Sequence, residues 1–477
     1  MLASVVYYLL GDNPWLICVP LATTMLCYIS GILIERAKGQ AGKRLGLFLA
    51  LLGTVGILIG LKYINFGIYT YNGIAELASL KQFSPVRFLV PLGISFYTFT
   101  MLGYVLDIYF GMEQAVMNPF RFAVYGLYFP TMISGPILRF REIKDQFFTP
   151  HKFDYGQVTA GMQRMVWGFF KKLVIAERFA IIVNTVYGQY EAYPGAYVWL
   201  ASISFLIQLY ADFSGCMDIV LGISQMFGLV LPENFKTPFF STSISEYWRR
   251  WHITLGTWMK DYVFYPLLRS KLFQKLGKKN KALFGKKRGK QLTTFLAMFV
   301  LWFSVGIWHG GQWTYVIGSG LLHWAYIVIG ELLTPAFHAL KKKLSIDPRG
   351  RLMKAVGMVR TFLLVNFGLI FFKADSVKMA WEMIISMFTR ANFYVLFDGS
   401  IFDLGLGVIE FIIALISLLL FVLVSVLQER GIAIRERIAG KKLPVRWVIW
   451  YALLFYVILL GYYGPGYSVQ EFIYKGF

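Results

Sequence analysis

Apolar runs long enough to cross a bilayer recur along the whole chain, and nothing else constrains its fold as strongly. A hydrocarbon layer about 30 Å thick calls for about 20 apolar residues in one helix. At that depth no water satisfies backbone amides, so each segment must pair its own, as a helix does. The runs cover 14–34, 45–66, 88–110, 120–138, 160–185, 196–228, 292–309, 313–333, 355–373, 406–427 and 445–463. They predict an all-α polytopic membrane protein of about eleven transmembrane helices. With 57% hydrophobic and 15% charged residues among 477, an ordinary soluble enzyme is excluded. No internal repeat or Pro- or Ser-rich linker divides the chain, so a single integral-membrane domain over 1–477 is expected. Residues 1–15 carry no basic stretch of the signal-peptide kind, and residues 1–10 are too short to span.

The net charge of +22 is segregated into short polar stretches. These are Arg36 to Arg44, Arg269 to Lys290, Lys341 to Lys354 and Arg430 to Arg446. The positive-inside bias makes them cytoplasmic loops, with anionic lipid as counter-charge, so no nucleic-acid partner is expected. Asp375 to Asp403 and Gly464 to Phe477 then fall outside. The insert of about 268–291 holds ten basic residues and no acid. It reads as a loop held against anionic lipid, or as a docking surface for a phosphorylated donor. Cys18, Cys27 and Cys216 all sit in apolar sequence without metal spacing and read as small buried hydrophobes.

Against this background one imidazole stands out. Trp308-His309-Gly310-Gly311 ends an almost wholly apolar run, and no carboxylate occurs between Asp261 and Glu331. An ionisable group at membrane depth is costly and reads first as functional. The bland alternative is a histidine hydrogen-bonded to a neighbouring helix. Its ordinary pKa near neutrality suits a base that takes a proton from a hydroxyl. The glycines beside it leave room for a substrate to approach.

The segment Asn234 to Leu267 is too polar for a lipid-facing helix and too aromatic for a solvated loop. It predicts an interfacial or re-entrant helix. Within it, Trp248-Arg249-Arg250-Trp251-His252 offers two guanidinium groups for a donor's phosphates and a second imidazole for a cavity wall. An aromatic belt at the interface is the plain alternative. His323 reads as packing. Asp212 and Asp218, in apolar sequence, could orient an imidazole, pair with those arginines, or form buried structural ion pairs. No Walker loop, GxSxG elbow, HExxH motif or Cys/His cluster occurs, so neither metal nor bound cofactor is expected.

Four stretches together resemble the membrane-bound O-acyltransferases of bacteria, notably the alginate O-acetyltransferase branch. They are Phe129-Pro130-Thr131-Met132-Ile133-Ser134-Gly135-Pro136-Ile137; Asp212-Phe213-Ser214-Gly215 through Pro232-Glu233-Asn234-Phe235; Tyr247-Trp248-Arg249-Arg250-Trp251-His252-Ile253-Thr254-Leu255; and Gly306-Ile307-Trp308-His309-Gly310. They keep the family's order within a core of about 88–331. The resemblance implies helices around a central funnel, with His309 as catalytic base and His252 as the second active-site histidine. Donor-binding or cavity-lining roles would fall to Trp248, Arg249, Arg250, Trp251, Trp308, Gly310, Asp212 and Asn234. It implies a multi-pass protein of the bacterial cell membrane that moves an acetyl group from a cytoplasmic thioester, such as acetyl-CoA, toward an extracytoplasmic polysaccharide. A separate SGNH-like acyltransferase outside the cell would be its partner.

Three features depart from that pattern. A basic insert follows Tyr265-Pro266-Leu267 where the family has a Gly-Gly-Asn-like turn. Cys216 stands where an aromatic is common. The aromatic tail Phe472 to Phe477, a candidate partner-docking segment, is interrupted by Lys475 and Gly476. Two other functions compete: D-alanyl transfer to teichoic acid from a carrier-protein thioester, and transport of a polymer or lipid-linked sugar.

Overall fold

The structure, a computed structural model, describes residues 2–11, 13–348, 350–464 and 472–473. Among them every regular element is helical, and one isolated bridge pairs Phe235 with Trp251. Eight helices are long and apolar enough to cross a membrane. They are α1 (Pro14–Arg36), α2 (Gln40–Leu77), α5 (Ala196–Met226), α8 (Lys271–Trp308), α9 (Trp313–Lys343), α10 (Arg351–Lys373), α11 (Val408–Glu429) and α12 (Leu443–Leu460).

The remaining three apolar runs fold differently, because hydrophobicity alone does not distinguish lipid from protein interior. Run 88–110 yields α3 (Ile94–Tyr109), of whose 16 residues 14 are buried, as befits a helix apolar on all sides. Gly93 precedes it with φ +69, and a Cβ there would strike the Met132 carbonyl. Run 120–138 breaks into Pro119–Gly126 and Phe129–Met132, each with a proline in its first turn. Run 160–185 lies within α4, a continuous helix over 155–188 with a π-helical stretch at Phe170–Ala176.

Helices α4 and α5 approach until their backbones touch. A Cβ on Gly161 would lie 2.5 Å from the Gly222 carbonyl oxygen, and one on Gly168 would lie 2.7 Å from that of Gly215. Small residues spaced seven apart on each helix permit this contact, the usual device where lipid offers no hydrophobic drive to association.

The basic insert is not the loop expected from its charge. It forms the first arm of α8, which runs over 271–284, reverses at Gly285 (φ +78, ψ 165) and continues over 286–308. Ser270 caps the start by accepting from the Phe273 amide. Asn280 Nδ2 donates to Thr293 Oγ1 at 3.1 Å, locking arm to arm. Lysine is a good helix former, so a dense run of it does not by itself mark a loop.

The segment after Asn234 folds into the bundle as short helices, including α6 (Ile244–Arg250) and α7 (Ile253–Met259). Tyr247, Trp251, Leu255, Trp258 and Tyr262 are buried, so the segment packs into the bundle.

Candidate active site

Helix α8 ends at Trp308, and Gly311 turns the chain with φ +61. His309 is thereby held at a helix carboxyl end, 2% exposed. Its ring meets Phe372 of α10 edge-on, centroids 5.4 Å apart, and Trp308 at 5.1 Å. The neighbouring glycines serve helix packing rather than substrate approach. A Cβ on Gly310 would lie 2.5 Å from the Tyr315 ring, one on Gly311 2.7 Å from Tyr63, and one on Gly306 2.6 Å from the Val316 backbone. Gly310 is therefore packed against Tyr315.

His252 reaches the same indole from another element, its ring 5.5 Å from that of Trp308. It is fully buried, between Phe213 at 4.9 Å and Phe96 at 6.5 Å. Its backbone has φ +44, the left-handed turn that joins α6 to α7. For a non-glycine residue this conformation costs about 1–2 kcal/mol. The turn is held by the segment of Asn234. The Ile253 amide donates to the Asn234 carbonyl at 3.1 Å, and Lys236 N donates to the Arg250 carbonyl at 2.9 Å. Asn234 Oδ1 accepts from the Thr254 amide and hydroxyl at 3.1 and 3.0 Å, and lies 3.3 Å from His252 Nδ1. Two stretches distant in sequence thus become one rigid mount for the imidazole.

Sequence reasoning passed over several neighbours. Lys62 donates to Ser95 Oγ at 2.7 Å and reaches the Trp308 carbonyl at 3.5 Å, where the Tyr63 hydroxyl also donates at 3.0 Å. A lysine inside run 45–66 was the available signal. His323, taken as packing, lies edge-on to Trp248 at 5.1 Å and stacked on Trp302 at 5.8 Å. Trp251 packs on Phe235 at 5.0 Å, Tyr247 at 5.5 Å and Phe213 at 6.4 Å.

The remaining expected site residues lie elsewhere. Asp212 is not beside an imidazole: Lys172 Nζ is 2.7 Å from its Oδ1 and 2.7 Å from Glu177 Oε1, all three buried. Asp218 pairs with Lys171 at 2.6 Å and Arg164 at 2.8 Å. Neither aspartate bonds the arginines of the Trp-Arg-Arg-Trp stretch. Phe472 covers Lys172 at 4.9 Å, and the Ile473 amide donates to Asp212 Oδ2. The rest of the tail, 474–477, lies outside the described residues. Arg249 is exposed. Arg250 pairs with Glu246 at 2.8 Å and Glu429 at 2.7 Å. It also lines a cavity of about 410 Å³ with Lys341, Lys354 and Arg360.

The membrane-bound O-acyltransferase family profile matches residues 113–358, just over half the chain. The chain belongs to that family. It is 34% identical to a probable alginate O-acetylase of Azotobacter vinelandii, over 70% of this chain and 62% of the relative. It is 28% identical to a peptidoglycan O-acetyltransferase of Helicobacter pylori, over 81% and 72%. A teichoic acid D-alanyltransferase of Bacillus subtilis is 29% identical over 59% and 68%. The chain thus spans less than two thirds of the Azotobacter relative's length. Family membership sets aside the transporter reading and agrees with a multi-pass membrane protein.

Proposed function

We propose that the protein transfers an acetyl group from a cytoplasmic thioester to hydroxyl groups of an extracytoplasmic polysaccharide, with His309 as general base. The observation that carries this reading is the burial of both His309 and His252 against Trp308, inside the bundle. His309 takes the hydroxyl proton as the acceptor oxygen attacks the thioester carbonyl carbon. The carbon–sulfur bond then breaks, and the proton passes to the departing thiolate. His252, fixed by Asn234, completes the polar wall. Electrostatics support a donor on the basic face. Lys341, Lys354 and Arg360 surround the 410 Å³ cavity beside Arg250, where phosphates of an acetyl-CoA-like donor would find cations. Because Arg250 is already engaged by two carboxylates, donor contact there falls mainly to the other three. An extracytoplasmic SGNH-like acyltransferase would receive or pass on the acetyl group, in a bacterial cell membrane.

The test is envelope acetylation in cells carrying His309→Ala. Loss of polymer-bound acetyl, with the protein still inserted at wild-type level, is the expected result. Unchanged acetyl content would remove His309 from the mechanism.

A further inference from the structure

Helices α11 and α12 leave a cavity of about 970 Å³ against α4 and α5. That is at the upper end of the range for ligand pockets, roughly 300–1,000 Å³. Toward the spans its wall is hydrocarbon: Leu420, Val424 and Leu427 from α11, with Ile449 and Leu453 from α12. Five basic and three acidic side chains also line the cavity. The Lys171–Asp218 pair sits beside Phe421 in the sleeve itself, and Arg435 lies at the end bearing Gly431 and Ile434.

Most of these charges are already matched. Arg164 and Lys171 hold Asp218, Arg164 also holds Glu233, and Arg250 holds Glu429. Lys236 and Arg435 have no carboxylate within 4 Å among the described residues. The cavity therefore joins a largely hydrocarbon sleeve to a rim where two cations have no ion-pair partner among the described residues.

Water does not fill such a sleeve, since each buried water needs two to four polar partners. A bare anion would satisfy the rim and leave the sleeve empty. Only a ligand with hydrocarbon chains and an anionic head suits both ends. We propose that this cavity is a binding site for one anionic diacyl phospholipid, its chains between α11 and α12 and its phosphate at Lys236 and Arg435. The site is separate from the acyl-transfer reading, because neither His309 nor His252 lines it. Its inner wall ends on Asn234, the residue that faces His252.

The test is native mass spectrometry of the full-length protein, released from lipid discs containing equal phosphatidylglycerol and phosphatidylcholine. One phosphatidylglycerol per chain should survive delipidation, and free glycerol phosphate should not displace it. Filling the sleeve with Val424→Trp and Ala452→Trp should abolish retention. Lys236→Gln with Arg435→Gln should keep a lipid but reduce the preference for phosphatidylglycerol by about tenfold. Equal retention by the tryptophan variant, or displacement by glycerol phosphate, would overturn the proposal. Should that variant fold poorly, wild-type protein with a diazirine-tailed phosphatidylglycerol decides. Label concentrated on 420–428 and 449–456 supports the site, and label spread evenly over the lipid-facing helices refutes it.

Discussion

Two regions of this molecule bury titratable side chains inside the helix bundle, and they do so in opposite ways. Along α4 and α5, Lys171 pairs with Asp218 and Lys172 is shared by Asp212 and Glu177, all at 2.6–2.7 Å. At the end of α8, His309 and His252 are surrounded by the rings of Trp308, Phe372, Phe213 and Phe96. The first arrangement cancels charge and fixes two helices. The second places two imidazoles among aromatic rings, with Asn234 as a polar neighbour of His252. Burial of an ionisable group is therefore not in itself a sign of activity. What surrounds it decides.

Three substitutions sharpen this contrast. The largest effect belongs to Lys172→Ala. It strands Asp212 and Glu177 in the interior, and breaking a buried ion pair by removing one partner costs about 3–5 kcal/mol. Thermal unfolding followed by size-exclusion should show a protein that barely survives extraction. Pairing Lys172→Ala with Asp212→Ala should recover part of that loss, and no recovery would mean the two groups act independently.

Next comes Asn234→Ala, which removes the acceptor shared by His252 and Thr254. Losing a buried hydrogen-bond partner costs about 1–3 kcal/mol, so turnover should fall tenfold or more. As a positioning residue, Asn234 should change kcat and leave the donor KM alone. A change confined to KM would place it on the donor path instead.

The smallest effect is expected from Lys286→Gln with Lys287→Gln at the exposed bend of the α8 hairpin. Exposed substitutions stay within about 0.5 kcal/mol, so stability should not move. Any change in donor KM should fade as salt rises. A salt-independent loss of activity would give these lysines a direct role.

Much of this contrast was legible in the residues, though unevenly. Long apolar runs announce helices wherever lipid or protein must satisfy the backbone, which is why α1, α2, α5 and α9 to α12 fall near their expected places. Run 120–138 misled because it splits into two short helices, with Pro119 and Pro130 in their first turns. Arg269 to Lys290 misled because charge reports exposure, not backbone conformation. His309 was visible as an ionisable group ending an apolar run, and His252 as an imidazole in a mixed aromatic and basic stretch. Their meeting at Trp308 was not, because it depends on the turn at His252 and on its tether to Asn234. The partners of Asp212 and Asp218 were within reach. Lys171, Lys172 and Glu177 sit inside an apolar run, and three such charges there needed countercharges from another span.

The most direct test of the account is transfer of isotopically labelled acetyl from a thioester on one side of vesicles to a polysaccharide acceptor on the other. Purified wild-type protein, with any partner acyltransferase supplied, should move the label. His309→Ala should lower the rate by about 10²–10⁴-fold or more while keeping the wild-type melting profile. Label transfer at the wild-type rate by that variant would contradict the central claim.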